Sequence, residues 1–219
     1  MAFELPLFPL QTVLFPGMPL VLQVFEQRYR QMIGECLRDD QPFGVVLIRE
    51  GEEVGDPSVE PFTIGCTAEI AQMQPLDEGH MQLLVIGQER FRILALHHDQ
   101  PYLTGTVDYF PLRRDVPGQR DAVAALRPWV EQYLSLLTEA GELDSETTEL
   151  PTEPESLAYL AAAILQVPIL EKQSLLAEPA AANLLSTMRA LYRRELPLLR
   201  AMLAYREAAP MGDGPFSLN

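Results

Sequence analysis

Residues 64–70 have the sequence IGCTAEI, and residues 84–93 have the sequence LVIGQERFRI. Both segments are rich in apolar and β-branched residues, which favours strands. The DEG run at 77–79 lies between them and is typical of a hairpin turn. The pattern therefore predicts a β-hairpin with a further strand directly after it. The predicted strands cover residues 63–74, 82–87 and 90–97.

The strand pattern continues towards the N-terminus. Prolines keep LPLFPL (5–10) extended, and VLFPG (13–17) ends in a Pro-Gly turn signal. Apolar residues within 26–38 follow helical spacing, which predicts one inserted helix. Six or seven short strands with one helix predict a small, partly closed β-barrel. The remaining predicted strands cover residues 18–24, 43–49 and 102–110.

The second part of the chain has a helical pattern. Its composition changes at 111–119, which hold two prolines and a glycine, and we place a boundary between two packed subdomains there. The predicted fold class is α+β, a barrel followed by a helical bundle that ends in a long helix. The predicted limits are 1–115 for the barrel, 116–209 for the helical subdomain and 210–219 for a flexible tail.

Proline and capping signals set expectations for the helices. Thr152 and Glu155 fit a capping box, with Thr152 as the N-cap residue and Glu155 at N3. Pro128 is expected to kink the first helix after the boundary, and Pro197 to bend or break the last one, 179–208. The helix after the capping box is expected to bury Leu157, Leu160, Ala161, Ile164 and Leu165.

The charge of the chain limits its partners. Its 219 residues include 31 acidic and 16 basic side chains, a net charge of −15, and 1–115 alone carry 17 acids and 8 bases. This charge repels nucleic acid and anionic membrane surfaces, so neither is expected as a partner. The chain has no apolar run of about 20 residues and no basic signal region, which indicates a cytoplasmic protein.

The sequence offers little for catalysis. Lys172 is the only lysine and lies outside any Gly-Lys-Ser/Thr motif, which excludes a phosphate-binding loop of that type. Ser174 is two residues away, so the two side chains point to different sides of a helix. Cys36, Cys66 and three histidines lack metal-ligand spacing, and the cysteines are expected to be small, semi-buried apolar residues in a reducing compartment. We predict no catalytic residue, cofactor or metal, and neither ATPase nor peptidase activity.

Six sequence blocks resemble the N-terminal domain of Lon proteases. Their order and spacing over about residues 4–205 make the match specific. Two blocks match the family patterns G-T-x-A-x-I and V-x-G-x-x-R-x-x-I, and a helical block matches L-x-x-E-K-Q-x-L-L. The blocks are LPLFPL (5–10), VLFPG (13–17), FEQRY (25–29), IGCTAEI (64–70), LVIGQERFRI (84–93) and PILEKQSLL (168–176).

The resemblance implies a PUA-like barrel followed by a helical bundle. In full-length Lon proteases this module precedes an ATPase domain and a Ser-Lys protease domain, and it helps to capture unfolded or tagged substrates. The chain ends at Asn219, and so it resembles a stand-alone Lon N-terminal-domain protein. The expected function is a non-catalytic module that binds unfolded or tagged polypeptides or a protein partner. The oligomeric state stays open.

A polypeptide-binding surface is predicted around the Pro-Gly turn and at the following change from strand to helix. Aromatic and thioether side chains with one cation suit sequence-tolerant contact with apolar segments. The alternative is that Phe15 and Phe25 belong to the core. The candidate site residues are Phe15, Pro16, Met18, Phe25, Arg28 and Tyr29.

Two other functions remain open from the sequence. RNA binding is suggested by fold analogy with PUA-like barrels and by a local patch of Arg90, Arg92, Arg113 and Arg114. The simpler interpretation is that these arginines form surface ion pairs with nearby acidic side chains. The second alternative is an unrecognised small-molecule enzyme, although no spacing of carboxylates indicates an acid–base pair.

Overall fold

The computed structural model describes residues 1–55, 59–113, 119–141 and 150–208, without the side chains of 119–124 and 206–208. These residues form seven strands and five α-helices, an α+β fold as predicted. The strands are β1 (Phe3–Leu10), β2 (Pro19–Val24), β3 (Phe43–Glu50), β4 (Glu60–Pro61), β5 (Ile64–Pro75), β6 (Met81–His97) and β7 (Thr104–Tyr109). The helices are α1 (Gln27–Asp39), α2 (Gln119–Glu139), α3 (Pro154–Ile164), α4 (Ile169–Ala177) and α5 (Ala181–Ala208).

Five of the strands pair in a ring. The order β1-β7-β6-β5-β3 returns to its start because β3 also pairs with β1, in parallel. The other ring pairings are antiparallel. Two strands are not part of the ring: β2 pairs with β6, and β4 pairs with β3. With α1 inserted between β2 and β3, the sheet forms the partly closed barrel that the sequence predicts.

Strand β6 corrects one sequence prediction. The two strands predicted at 82–87 and 90–97 are one continuous strand, Met81–His97. The pairing of β5 with β6 shifts register between Cys66 and Ala68, which marks a bulge opposite Gln88 and Glu89. There the hydroxyl of Thr67 donates to the Glu89 carbonyl (3.2 Å) and accepts from the Glu89 amide (3.0 Å). This side chain satisfies backbone groups that the bulge removes from the ladder.

The turn predicted at 77–79 joins β5 to β6. Asp77–Gly79 form one 3-10 turn, in which Glu78 and Gly79 have φ values of 60° and 73°. The amide of Leu76 donates to the carbonyl of His80 across the turn (2.8 Å). Arg30 of α1 donates to the Glu78 carbonyl (3.0 Å), which fixes the turn against the helix.

Helix α1 closes one side of the barrel core. Its residues Tyr29, Met32, Ile33 and Cys36 are buried in the same cluster as Phe43 and other barrel residues. Cys36 and Cys66 are free thiols that are more deeply buried than the sequence predicts, and burial raises their pKa values to about 11 and about 12. A protonated, buried thiol is a small apolar residue and not a nucleophile.

The N-terminus of α3 differs from the predicted capping box. The N-cap residue is Glu153, not Thr152, and its carboxylate accepts from the amide of Ser156 (2.8 Å). Pro154 explains the shift, because proline is favoured at the first helical position and so makes the preceding residue the cap. Glu155 therefore does not occupy N3.

The two helical prolines leave their helices continuous. Pro128 lies inside α2, and Pro197 lies inside the 28-residue helix α5, so Pro197 does not break it. Each proline removes one backbone hydrogen bond from its helix. Burial of the neighbouring residues Leu126, Val130 and Leu196 offsets this loss of stability. Met202, beyond Pro197 in α5, is 65% exposed.

The barrel and the helices share one hydrophobic cluster. Arg113, after β7, exchanges backbone hydrogen bonds with Pro179 (2.8 Å) and Ala181 (3.1 Å) at the start of α5. Gln173 of α4 donates its side-chain amide to the carbonyl of Ile64 at the start of β5 (3.0 Å). The buried residues of 1–113 in this shared cluster are Val13, Phe15, Leu47, Ile64 and Leu112.

The predicted subdomain limits remain a prediction. Residues 114–118, inside the predicted boundary, and 210–219, the predicted tail, lie outside the described residues. The reason for expecting packed subdomains is that apolar helix faces are stabilised by about 1.5–3 kcal/mol for each large side chain they bury.

Candidate functional site

A groove of about 1130 Å³ lies between the barrel and α3. Its barrel side consists of residues 16–19, 86–90 and 109–111, and its other side of eight residues between Pro151 and Ile164. We call it the α3 groove. The start of β2, the bulge of β6 and the end of β7 therefore meet one face of a helix from the second part of the chain.

Glycines shape the barrel side of the α3 groove. Gly17 has a φ of 77°, and its amide donates to the carbonyl of Gly87 (2.7 Å), while the amide of Gly87 donates to Met18 (3.0 Å). These bonds seal the Pro16-Gly17 turn onto β6. A Cβ on Gly87 would lie 2.2 Å from the carbonyl oxygen of Phe15, so this close approach requires glycine.

Arg90 lies in the floor of the α3 groove and is 2% exposed. Its Nη1 donates to the carbonyls of Leu176 (2.6 Å) and Glu178 (2.7 Å), which lie at the C-terminal end of α4. The guanidinium carbon lies 4.9 Å from the ring centroid of Phe110 and 5.7 Å from that of Tyr159. Desolvation by burial lowers the pKa of Arg90 from its ordinary value, but an arginine stays charged under all ordinary conditions.

The other charged groups of the α3 groove are acidic. Glu89 is exposed at the β6 bulge. Glu153 is the residue before α3, and Glu155 lies in the first turn of that helix. The hydroxyl of Tyr159 donates to Glu155 (3.5 Å), and burial of the Tyr159 ring raises the pKa of its phenol. The lining of the α3 groove thus combines apolar side chains, three carboxylates and one buried cation.

The six candidate site residues separate into two groups. Pro16 and Met18 are half-buried and line the α3 groove. Phe15 is fully buried in the cluster shared with the helices, which removes it from any surface. The remaining three residues follow β2 at its other end, about 20 Å away along six strand residues. Pro16 and Met18 therefore line one groove, while Phe25 and Tyr29 line another pocket.

A second, smaller pocket of about 340 Å³ lies at that far end of β2. Phe25 lines it and is 47% exposed, while Tyr29 is buried and stacks on Phe8 with ring centroids 4.2 Å apart. Arg28 forms an ion pair with Glu26 (3.0 Å) and lies 4.5 Å from the Tyr29 ring centroid. Phe25 is thus the candidate at this end with substantial exposed apolar surface.

Sequence reasoning missed the helical side of the α3 groove. Leu160 and Ile164 were assigned to the buried face of α3, but both are half-buried and line the groove. The core face consists of Leu157, Ala158, Ala161, Ala162 and Leu165. The signal was present in the sequence, because α3 is apolar over a wider arc than one core-facing stripe requires.

Two kinds of site are absent from the described part of the chain. No group of three or more histidine, cysteine, aspartate or glutamate residues there could hold a metal ion. Among the described helices, none combines the length and the apolar character that a membrane span needs. Of the arginines in the suggested RNA patch, Arg90 is buried and Arg114 lies outside the described residues.

A family model described as "ATP-dependent protease La (LON) substrate-binding domain" matches residues 4–191. The chain belongs to this family. It is 34% identical over 177 residues to Lon protease 2 of Myxococcus xanthus, which covers 78% of this chain and 21% of that protein. A Lon protease of Anaeromyxobacter dehalogenans is also 34% identical, over 175 residues. The chain spans about a fifth of the length of these curated relatives.

Solved structures of Lon N-terminal domains share the fold. The Lon N-terminal domain protein from Xanthomonas campestris has a TM-score of 0.63 and 24% identity, covering 86% of this chain and 98% of that one. The N-terminal domain of the Mycobacterium avium complex Lon protease has a TM-score of 0.66 and 18% identity, covering 87% and 98%. The fold of this chain is thus the fold of Lon N-terminal domains, the family that the sequence blocks resemble.

The Glu-Lys-Gln block of this Lon domain has a structural explanation. Glu171 accepts from Arg194 of α5 (2.9 Å), and Lys172 donates to the Ala163 carbonyl at the end of α3 (2.8 Å). Gln173 binds β5, as described above. Three consecutive residues of α4 therefore contact α5, the end of α3 and β5.

Proposed function

We propose that this Lon substrate-binding domain binds apolar segments of unfolded or tagged polypeptides in the α3 groove. The observation that carries the proposal is the open groove of about 1130 Å³ beside Pro16 and Met18. The groove is larger than the usual small-molecule pocket of about 300–1,000 Å³. The family description as a substrate-binding domain supports the proposal, and the protein is proposed to act without catalysis of its own.

The lining of the α3 groove suits polypeptide more than a rigid ligand. Met18, Ile86, Leu160 and Ile164 offer adaptable aliphatic and thioether contacts, and Tyr109 adds a half-exposed ring. Flexible side chains of this kind repack around different sequences, which is typical of promiscuous binding surfaces. Two free, buried cysteines are also compatible with a reducing cytoplasm, where we propose that the protein acts.

The substitution Met18→Glu is expected to weaken capture of an unfolded model protein by roughly tenfold, because a desolvated carboxylate opposes apolar contact. Its melting temperature is expected to change little, since Met18 is only half-buried. The measurement is fluorescence anisotropy with a labelled, permanently unfolded protein, accompanied by a thermal melt of each variant.

Val21→Glu is the matched control for this experiment. Val21 lies on β2, three residues after Met18, and is 58% exposed, but it lines the small pocket beside Phe25 and not the α3 groove. Its substitution should leave capture within about twofold of the original chain. Loss of capture in Val21→Glu with normal capture in Met18→Glu would place the site at Phe25 and contradict the proposal.

We also expect the pure chain to hydrolyse neither ATP nor casein. The only lysine, Lys172, is engaged with the Ala163 carbonyl, and the hydroxyl of Ser174 donates to Leu170 within α4 (2.8 Å). Neither group is positioned as a nucleophile and base. Phosphate release and fluorescent-casein assays test this. Turnover by a homogeneous preparation that is lost on substitution of one residue of this chain, with Lys172→Met and Ser174→Ala tested first, would overturn the expectation.

A further inference from the structure

Arg90 has hydrogen-bonding capacity that the protein does not use. Both N–H groups of its Nη1 are directed to the carbonyls of Leu176 and Glu178. Its Nε and Nη2 are buried and have no hydrogen-bond partner among the described residues. Leaving such donors unpaired is costly, and it is worse when they belong to a charged group. An unpaired cationic edge in the floor of a groove therefore points to a ligand.

The two unpaired nitrogens define the chemistry of that ligand. On a guanidinium, Nε–H and one N–H of Nη2 lie side by side and point in the same direction, the arrangement that binds both oxygens of a carboxylate. The rings of Phe110 and Tyr159 lie against the same guanidinium. Arg90 and both rings line the α3 groove, so a ligand bound in the groove is the partner that can reach this edge.

The acidic groups around the groove indicate which carboxylate binds there, that of an acidic side chain or that of a chain terminus. Glu89, Glu153 and Glu155 repel a segment that carries several acidic side chains. The terminal carboxylate of an otherwise apolar chain adds only one negative charge, and Arg90 neutralises it. We infer that Arg90 anchors the free C-terminal carboxylate of an apolar polypeptide in the α3 groove. This inference rests on the proposed function and names the class of segment that the groove selects.

Access to Arg90 requires a small movement, because the side chain is only 2% exposed. Phe110 is half-buried, whereas Tyr159 is buried, so Phe110 is the ring that we expect to rotate away from the guanidinium. The carboxylate then accepts two charge-assisted hydrogen bonds, one from Nε and one from Nη2. Arg90 keeps its bonds to Leu176 and Glu178 throughout, and the floor of the groove stays intact.

Three fluorescent peptides of one apolar sequence, about ten residues long, test the inference on the unaltered chain. The first ends in a free carboxylate, the second in a carboxamide, and the third in a carboxamide preceded by aspartate. We expect the free carboxylate to bind at least about tenfold more tightly than either amide, as measured by anisotropy. A photo-crosslinking residue beside the C-terminus of the first peptide should label 109–111 or 155–160.

Each outcome of this experiment is decisive. Binding of the first two peptides within twofold of each other overturns the carboxylate anchor and leaves the proposed polypeptide binding standing. Equal binding of the first and third peptides assigns the anchor to an acidic side chain and overturns the terminal assignment. Crosslinks confined to the region of Phe25 overturn the placement at Arg90. If none of the peptides binds, the proposed function itself fails, and the inference fails with it.

Discussion

The substitution Gly87→Ala is expected to lower the free energy of unfolding by about 3 kcal/mol or more. The added Cβ would lie 2.2 Å from the carbonyl oxygen of Phe15 and 3.1 Å from Cγ of Leu14. The first of these atoms belongs to the backbone, so no side-chain rotation can relieve the contact. The turn that carries Pro16 and Met18 must then move away from β6, and its two hydrogen bonds to Gly87 must lengthen.

Gly34→Ala is the matched control for Gly87→Ala. Gly34 lies in the exposed part of α1, where a Cβ meets nothing within 4 Å in the described part of the chain. This substitution should stabilise the protein by about 0.5–1 kcal/mol, because alanine favours the helix. Urea denaturation of the three proteins gives the comparison. Equal stability of Gly87→Ala and the original chain would show that the Phe15 carbonyl is not held where the structure has it.

The same substitution links stability to the α3 groove. Because Gly87 fixes the position of Met18, any folded fraction of Gly87→Ala should also capture unfolded protein poorly. Gly34→Ala should capture it normally. A Gly87→Ala protein that is destabilised but binds with full affinity when folded would separate the turn from the binding surface.

Local signals in the sequence predicted most of the barrel. Pro-Gly at 16–17 and the DEG run at 77–79 mark turns through their own backbone preferences, and both turns are present. The break predicted between 87 and 90 was wrong, because polar residues at 88 and 89 resemble a loop. They form a bulge instead, and its stability depends on the hydroxyl of Thr67 on the neighbouring strand. Periodicity along one segment contains no information about such a cross-strand partner.

The candidate site was harder to predict, for a similar reason. A phenylalanine beside a turn is equally compatible with core and surface, and Phe15 is buried in a cluster whose other members lie mostly in helices more than a hundred residues later in the chain. Leu160 and Ile164 present the opposite case. They lie on an apolar helix, and only the position of the barrel leaves them facing a groove. Which apolar residues face solvent is decided by tertiary packing.

Arg90 shows most clearly what the sequence conceals. Its place on a predicted strand suggested a surface patch with Arg92, yet it is 2% exposed. Its main partners, the carbonyls of Leu176 and Glu178, lie 86 and 88 residues away in sequence. They lie at the C-terminal end of α4, where backbone carbonyls lack helical donors and attract a cation.

The second large effect is therefore expected at Arg90. The substitution Arg90→Met should lower the free energy of unfolding by about 2–4 kcal/mol, because it leaves two carbonyls at the end of α4 without their charged donors. Methionine fills much of the arginine volume and avoids burying a charge, which offsets part of the loss. Only one partner is removed, however, so the desolvated Leu176 and Glu178 carbonyls remain.

Arg92→Met is the control for this substitution, since Arg92 lies on the same strand and is exposed. It should change the free energy of unfolding by no more than about 0.5 kcal/mol. Hydrogen exchange adds a local measurement. In Arg90→Met the amides of α4 should exchange faster relative to those of β6, because the bond that joins the helix end to the barrel is gone. If Arg90→Met matches the stability of Arg92→Met and α4 exchange is unchanged, Arg90 does not hold the helices against the barrel.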